Sequence, residues 1–328
     1  MNNFPWQLAF GIGSSADFQT MALDVFAYQF ENVDIYQQYC NLLGKNTANV
    51  HSLEDIPFMP IEFFRDHSPL AKGQPEEKVF RSSGTTGSIT SRHRVARLDV
   101  YDVSLTNGFR LFYGEPSEYC ILALLPSYLE RQDSSLVHMA SRLMQQSGHT
   151  DNGFFLYNYA ELAGKLKQLE RAGRKTLLLG VSFALLDLAT NHPMPLKHTL
   201  IMETGGMKGR RKEITRQELH AILQDAFSVE HIHSEYGMTE LLSQAYSKGK
   251  GHYRCPPWMK ILTRDVYDPY ASQESGKTGA LNVIDLANVY SCSFIGTRDL
   301  GKVHPDGSFE VLGRIDHSDT RGCNLMVE

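Results

Sequence analysis

Short apolar runs alternate with longer amphipathic stretches through the middle of the chain, and this alternation constrains the fold most. Strand-like runs that alternate with helix-like stretches indicate βαβ units, in which helices cover both faces of a parallel sheet. The sequence therefore predicts an α/β fold with a parallel sheet. The predicted strand and helix pairs are 119–126 and 134–146, 154–157 and 160–172, 176–181 and 183–190, and 199–202 and 213–227, with a further strand at 230–233.

The predicted secondary structure divides the chain into three parts. Residues 1–78 combine apolar residues at helical spacing with a proline-containing connector at 56–64. Residues 79–257 carry the strand and helix alternation and are predicted to form the α/β core. Residues 258–328 are predicted to be rich in strands, because Gly, Pro and Asp turns bound each apolar run there. The strands predicted in this last part are 260–266, 279–284, 289–295 and 308–311.

Composition and charge exclude several classes of protein. Hydrophobic residues make up 42% of the chain and charged residues 21%, as is usual for a globular protein. A formal net charge of -5 gives no basic surface for nucleic acid. We also expect no secretory signal and no membrane span, since no apolar run approaches about 20 residues. Five scattered cysteines argue against a disulfide framework, so the sequence predicts a protein of the cytoplasm.

A loop rich in glycine and hydroxyl groups follows the strand-like residues 78–80. Its backbone N–H groups and hydroxyls suit the binding of a phosphate. The loop lacks the Gly-Lys-Ser/Thr ending of a Walker A sequence, and its composition also fits a polar hairpin turn. The loop residues that are candidates for phosphate binding are Ser82, Ser83, Gly84, Thr85, Thr86 and Gly87.

Three further motifs follow this loop along the chain. They are Glu203-Thr204-Gly205-Gly206, Ser234-Glu235-Tyr236-Gly237-Met238-Thr239-Glu240, and the pair Thr297-Arg298-Asp299-Leu300-Gly301 and Gly313-Arg314-Ile315-Asp316. Together with the loop, and in this order, they resemble the motifs of the adenylate-forming superfamily, which includes acyl-CoA synthetases, adenylation domains and luciferases.

The resemblance implies that ATP and Mg²⁺ are cofactors and that residues 79–257 form a nucleotide-binding core. It implies that the loop binds the β- and γ-phosphates and that Glu240 binds Mg²⁺, a hard cation that prefers oxygen ligands. Many members carry a lysine after the loop, whereas the next cations here are Arg92, His93 and Arg94. The charge that supports pyrophosphate would come from Arg92 or would be missing. The resemblance also implies that Gly205, Gly206 and Tyr236 contact adenine and that Thr239 contacts the α-phosphate. Asp299 and Arg314 would contact the ribose. Glu235, Gly237 and Met238 would belong to the nucleotide-binding segment.

Within the superfamily, the chain looks most like the acyl-protein synthetases of the LuxE type. The matching segments are 56–64, 134–137 and 203–210, and the sequence stops twelve residues after Asp316, as expected for a member without the C-terminal lid domain. This subgroup implies an acid-thiol ligase that activates a carboxylic acid, here expected to be a fatty acid. The acyl group would then pass to Cys323 in a hinge-like tail and on to a partner protein, a reductase or a carrier.

Other functions remain open from the sequence. The chain could be an acyl-CoA ligase whose lid comes from a partner, or a nucleotide-binding scaffold without catalysis. The run Gly180-Val181-Ser182 before a helix also resembles the nucleophile elbow of an α/β-hydrolase, with Asp299 and His304 as downstream partners of Ser182.

A zinc site is a further alternative, since histidine and cysteine are common zinc ligands. The candidate ligands are His231, His233, His252 and Cys255, although their spacing matches no zinc finger.

Overall fold

The computed structural model describes residues 3–82, 90–126, 133–205 and 214–315. Its α-helices are α1 (Ser15–Asn32), α2 (Asp34–Leu42), α3 (Phe63–Asp66), α4 (Leu98–Tyr113), α5 (Ser135–Ser147), α6 (Tyr159–Arg171), α7 (Ser182–Asn191) and α8 (Arg216–Phe227). Short 3₁₀ helices lie at Trp6–Gly11, Leu53–Asp55, Pro116–Glu118 and Leu286–Asn288.

The strands of the described residues form one large sheet and one hairpin. The large sheet has the order β11-β12-β13-β14-β10-β9-β8-β7-β6-β4-β5, with β1 paired to β13, and β2 pairs with β3 in the hairpin. The strand bounds are β1 (Met59–Pro60), β2 (Lys78–Arg81), β3 (Arg92–Val95), β4 (Cys120–Leu124), β5 (Gly153–Phe155), β6 (Thr176–Val181), β7 (Thr199–Thr204), β8 (His233–Tyr236), β9 (Ala245–Ser247), β10 (Tyr253–Arg254), β11 (Met259–Arg264), β12 (Thr278–Asp285), β13 (Phe294–Val303) and β14 (Phe309–Arg314).

One half of the large sheet is parallel. Strands β5, β4, β6, β7 and β8 run side by side in parallel, and helices connect them. Every residue of β4 and of β6 is buried, as expected for strands that are covered on both faces. The predicted α/β fold is confirmed, and each helix predicted between these strands is present within a few residues of its predicted bounds.

Local sequence signals define the ends of the helices in this half. The Ser134 hydroxyl accepts a hydrogen bond from the Val137 amide at the start of α5, and Gly148 ends that helix in a left-handed conformation with φ of 63°. At the start of α8, Thr215 and Glu218 form a reciprocal capping box. These caps fix where α5 and α8 leave the sheet.

The other half of the sheet is antiparallel and is built by β9, β10 and β11–β14. Three of the four strands predicted after residue 258 are found here as β11, β12 and β14, and they continue the same hydrogen-bonded sheet. The strand predicted at 289–295 is wrong in its first five residues, since β13 begins at Phe294.

A buried glutamine explains that difference. The Gln29 amide of α1 donates to the carbonyls of Asn288 and Val289 at 3.0 and 2.9 Å, and its Oε1 accepts from the Ser293 amide at 3.1 Å. These bonds satisfy backbone groups of 288–293 that a neighbouring strand would otherwise have to satisfy. The segment is therefore apolar and buried without being a strand.

Among the described residues, no helix is long and apolar enough to cross a membrane. The longest helix, α1, has 18 residues and keeps a mixed composition, with Phe18, Ala22, Val25, Phe26 and Gln29 buried.

Candidate active site

The carboxyl ends of four neighbouring parallel strands meet at one edge of the sheet. Leu124 of β4 lies opposite Gly180 of β6, Gly180 lies opposite Glu203 of β7, and Glu203 lies opposite Ser234 of β8. Two of the predicted motifs, at 203–206 and 234–240, therefore start side by side at the same edge.

This edge also contains a reversal of strand order. The chain passes from β4 to β5 on one side and then returns to β6 on the other side of β4. In open α/β sheets, ligands bind outside the carboxyl ends of the strands at such a reversal. The topology therefore makes this edge, where the motifs lie, the candidate binding site.

The stem of the glycine-threonine loop is the hairpin of β2 and β3. Arg81 pairs with Arg92, the Ser82 amide donates to the Ser91 carbonyl at 3.1 Å, and the Ser91 amide donates to Ser82 Oγ at 2.9 Å. Residues 83–89 thus connect two antiparallel strands that pair with each other. The tip of the loop, with Ser83, Gly84, Thr85, Thr86 and Gly87, lies outside the described residues.

The hairpin stem contacts the Ser234–Glu240 motif. His93 Nδ1 lies 2.8 Å from the carbonyl oxygen of Thr239, and the Ser91 side chain opposes the rise that burial causes in the pKa of Glu240. Burial lowers the pKa of His93 to about 4, so the ring is neutral at pH 7 and adds no positive charge. Of the other two candidate cations, Arg94 is paired with Glu76, whereas Arg92 is exposed.

Glu240 is a carboxylate that is only 5% exposed. Burial raises its pKa, and within the described part of the chain no cation forms an ion pair with it. A divalent cation at this position would remove the electrostatic cost of the buried charge. The Glu240 carboxylate is an oxygen ligand of the kind that the hard Mg²⁺ ion prefers.

Asp285 fixes the backbone that follows Glu240. Its Oδ2 accepts from the amides of Leu242 and Ser243 at 2.8 and 3.0 Å, and its Oδ1 accepts from the Ser243 hydroxyl at 2.5 Å and the Ala287 amide at 3.1 Å. The side chain is fully buried. Asp285 was not among the sequence candidates, since nothing in its local sequence indicates a partner more than 40 residues away.

Tyr236 and Asp299 come together although their motifs are far apart in the sequence. The Tyr236 hydroxyl donates to Asp299 Oδ2 at 2.8 Å, and Arg314 Nε lies 3.4 Å from Asp299 Oδ1. The Tyr236 ring packs against Tyr253 and Phe309, and its side chain is buried. Asp299 is buried, whereas the Arg314 side chain is 83% exposed.

Glu203 is the centre of a second buried network. The Ser182 hydroxyl donates to Glu203 Oε2 at 3.2 Å and to the Gly205 carbonyl at 2.8 Å. Arg216 donates to Glu203 Oε1 at 3.2 Å, and His220 lies 3.6 Å from the same atom. Burial alone would raise the pKa of Glu203, but the contacts with His220 and Arg216 outweigh it and hold the pKa below its ordinary value.

This network gives Ser182 a structural role. The serine is 2% exposed, and the carboxylate lies between Ser182 and His220, so the histidine is not placed to take the serine proton. The hydrolase interpretation of Gly180-Val181-Ser182 therefore finds no support in this geometry. Arg216 and His220, which hold Glu203, were not predicted as site residues.

Glu235 is the neighbouring buried carboxylate on β8. Burial raises its pKa to about 7, against the opposing effect of a hydrogen bond from the Thr204 hydroxyl. Gly237 leaves room for this side chain, because a Cβ at that position would lie 2.3 Å from Glu235 Oε1. Gly237, Met238 and Thr239 are partly exposed. Gly205 ends β7 with φ of 70°, while Gly206 lies outside the described residues.

The described cysteines are unsuited to act as nucleophiles. Burial raises the pKa of Cys40 to about 12 and of Cys120 to about 11, and it also raises the pKa of Cys255 and Cys292. Their thiols are therefore protonated at pH 7. Cys323 lies outside the described residues, as does Asp316.

The zinc ligands suggested by the sequence are not grouped together. In the part of the chain that the structure describes, His252 instead lies with His304 and Glu310. Burial lowers the pKa of His233 to about 4, and its ring packs against Tyr113.

Comparisons with known proteins show the same fold in ligases. No protein-family model matches the sequence, and no curated protein matches it significantly. The structure is similar to that of ATP-bound MatB from Rhodopseudomonas palustris, with a TM-score of 0.55 and 17% identity over 72% of this chain and 47% of that chain. It is similar to an open conformation of 2-hydroxyisobutyryl-CoA ligase in complex with 2-HIB-AMP and CoA, with a TM-score of 0.65 and 15% identity over 92% of this chain and 70% of that chain.

A third similar structure is the amide bond synthetase McbA from Marinactinospora thermotolerans, with a TM-score of 0.52 and 17% identity over 72% of this chain and 48% of that chain. The chain thus spans about half the length of MatB and of McbA. The chain has the mixed α/β fold of these adenylate-forming enzymes.

Proposed function

We propose that this protein uses ATP to activate a carboxylic acid as an acyl-adenylate, transfers the acyl group to its own Cys323 and delivers it to a partner protein. The observation that carries the first step is the meeting of the motifs at one sheet edge. The stem of the glycine-threonine loop contacts Thr239 through His93, and the 203–206 and 234–240 motifs begin on adjacent strands. Two solved structures of enzymes with the same fold are described as complexes, one with ATP and the other with 2-HIB-AMP and CoA.

The first chemical step is the displacement of pyrophosphate. A carboxylate oxygen of the acid attacks the α-phosphorus of ATP, the bond from that phosphorus to the bridging β-phosphate oxygen breaks, and pyrophosphate leaves with the electron pair. In the proposal, residues 82–87 donate hydrogen bonds to the β- and γ-phosphates, and Thr239 donates to the α-phosphate. Glu240 holds Mg²⁺, which supplies positive charge to the leaving group when it is bound.

The remaining motif residues position the nucleoside. Adenine lies against the backbone of Gly205 and Gly206 and against the 235–238 segment, and Asp299 accepts hydrogen bonds from the ribose hydroxyls. The bond from Tyr236 to Asp299 leaves one carboxylate oxygen near Arg314, so the carboxylate is held in a single orientation. This arrangement supports the ribose role of Asp299. The Tyr236 side chain is only 8% exposed, which leaves little of its surface for contact with adenine.

The second step moves the acyl group to sulfur. The Cys323 thiolate attacks the carbonyl carbon of the acyl-adenylate, a thioester bond forms, the bond to the phosphate oxygen breaks, and AMP leaves. Cys323 is the proposed acceptor because it matches the acylated cysteine of the LuxE type. In addition, burial raises the pKa of the four described thiols, which disfavours them as nucleophiles. We propose a fatty acid as substrate and a reductase or carrier as the partner on the same resemblance.

The test is to incubate the full chain with ATP, Mg²⁺ and a panel of fatty and other carboxylic acids. Pyrophosphate release and intact protein mass are measured, with wild type compared with Cys323→Ser and with Cys255→Ser as the matched control. We expect acid-dependent pyrophosphate release in all three proteins. An acyl adduct should form on wild type and on Cys255→Ser, and should be missing from Cys323→Ser.

Each other outcome points to a different function. A thioester that appears on added CoA, with no adduct on the protein, would replace the proposed transfer to Cys323 by acyl-CoA synthesis. ATP binding without pyrophosphate release for any acid would indicate a scaffold and overturn the proposed activation step.

A further inference from the structure

We propose that His252, His304 and Glu310 form a binding site for a divalent transition metal, with zinc as the best fit. One donor atom from each of the three side chains lies within 4.8 Å of the other two. The cluster is separate from the candidate active site, and none of the four predicted motifs contains any of these residues.

The sheet register explains why the three side chains meet. Tyr253 of β10 pairs with Phe309 of β14 in an antiparallel ladder, so His252 and Glu310 take the next opposing positions. On the other side, Val303 of β13 also pairs with Phe309, which places His304 one step away. Side chains at alternate positions of adjacent strands share one face of the sheet. Glu310 of β14 thus lies beside His252, which directly precedes β10, and beside His304, which directly follows β13.

Two of the ligands are already held in place. His304 Nε2 lies 2.8 Å from Glu310 Oε1. The turn between β13 and β14 is fixed by a hydrogen bond from the His304 amide to the Ser308 carbonyl at 2.8 Å and by one from the Gly307 amide to the His304 carbonyl at 3.0 Å. An ion pair of 2.6 Å from Arg254 to Asp306 ties this turn to β10 and neutralises the nearby arginine.

The third ligand needs only a small movement. Ligands of tetrahedral zinc lie ~2.0–2.2 Å from the metal and hence roughly 3.3 Å from one another. His252 is exposed, and its ring centroid lies 5.1 Å from that of His304, so a change of side-chain rotamer brings its nitrogen into that range. A cavity of about 450 Å³ that His252 and His304 line leaves space for water as a fourth ligand.

The donor chemistry selects the metal. Two imidazoles and one carboxylate suit zinc and other first-row transition metals, whereas Mg²⁺ and Ca²⁺ prefer oxygen ligands only. A bound metal would link β10 to the β13–β14 hairpin. The same hairpin carries Asp299 and Arg314 near its other end, so the metal would stabilise the part of the sheet that holds these residues.

The test uses metal-free full-length protein and Zn²⁺ as the probe. Binding stoichiometry and affinity are measured by calorimetry, and Co²⁺ absorption reports the ligand geometry. The variants are His252→Ala, His304→Ala and Glu310→Gln, with His231→Ala as the matched control, because His231 is an exposed histidine beside His252 that lies outside the cluster. Circular dichroism of each variant shows whether it is folded.

We expect wild type and His231→Ala to bind one more zinc ion than the three cluster variants, or to bind that ion more than tenfold more tightly. Loss of a ligand should cost at least as much as loss of an outer-shell partner, which typically weakens metal binding ~10–100-fold. Zinc should also raise the melting temperature of wild type more than that of His304→Ala. The proposal would be overturned if folded His304→Ala and folded His252→Ala bound zinc as tightly as wild type. It would also be overturned if, among the variants, only His231→Ala lost zinc binding.

Discussion

The hydroxyl of Tyr236 donates a hydrogen bond of 2.8 Å to Asp299, which joins the end of β8 to β13 across a large separation in the sequence. The sequence identified both residues, but as separate contacts for adenine and for ribose. Their direct bond, with Arg314 on the other carboxylate oxygen, indicates that Tyr236 also positions Asp299. The two motifs therefore act as one unit.

Replacing Tyr236 by Phe should weaken ATP binding. The change removes the donor to a buried carboxylate, and a hydrogen bond to a charged group contributes about 1.5–3 kcal/mol. We expect the KM for ATP in pyrophosphate release to rise roughly tenfold or more, with a smaller change in kcat. Tyr246→Phe is the matched control, because among the described residues the buried Tyr246 hydroxyl has no hydrogen-bond partner. An equal effect of both substitutions would contradict the positioning role of Tyr236.

Replacing Asp285 by Asn should destabilise the fold. The substitution replaces one of the two carboxylate oxygens by an NH₂ group, which cannot accept these hydrogen bonds. Either the amides of Leu242 and Ser243 or the Ser243 hydroxyl and the Ala287 amide then lose their acceptor. Leaving buried donors unsatisfied costs about 1–3 kcal/mol for each group. The urea midpoint of unfolding measures this loss. Asp306→Asn is the matched control, because Asp306 is an exposed carboxylate that also accepts hydrogen bonds from a serine. We expect a much smaller change in the urea midpoint for this variant.

Activity should depend on the charge of Glu240. Glu240→Gln removes the carboxylate proposed to hold Mg²⁺, and we expect the rate of pyrophosphate release to fall by about 100-fold or more. Stability should be retained or should rise, because the substitution also removes a buried charge whose pKa is raised by burial. Glu240→Asp keeps the charge and should retain more activity at high Mg²⁺ than Glu240→Gln. Equal loss in both variants would indicate a role in packing.

The parallel half of the sheet could be predicted from the sequence because its strands and helices are local patterns. The strand predicted at 230–233 overlaps β8 only at His233, because β8 runs on to Tyr236 and includes the first three residues of the 234–240 motif. Helix α4 was not predicted, although its sequence carries the apolar periodicity that would have indicated it.

Other parts of the site depend on contacts between distant residues, for which a single sequence holds no signal. The bond of His93 to the Thr239 carbonyl spans 146 residues, and the bonds of Gln29 to the 288–293 segment span about 260. The grouping of His252 with His304 and Glu310 arises from the pairing of β14 with both β10 and β13. Such residues appear ordinary in the sequence because their chemistry is set by the sheet order.

Stability should decrease as the pH rises from about 4.5 to above 7, through the titration of Glu235. Burial raises the pKa of this carboxyl to about 7 in the folded state, whereas an unfolded glutamate titrates near ~4.3. Between these values the folded protein holds a proton that the unfolded chain has lost. The contribution to stability is therefore fully present below the lower pKa and is lost as the pH passes the higher one. The effect is of order 1–3 kcal/mol.

Glu235→Gln isolates this contribution, because glutamine resembles the protonated carboxyl and does not titrate. Urea unfolding of both proteins between pH 4.5 and pH 8 should give a midpoint difference that grows with pH in favour of the variant. The Thr204 hydroxyl bonded to Glu235 can turn to donate to the glutamine oxygen, so the variant should fold. Parallel pH profiles of the two proteins would show that Glu235 is already ionised in the folded state at neutral pH.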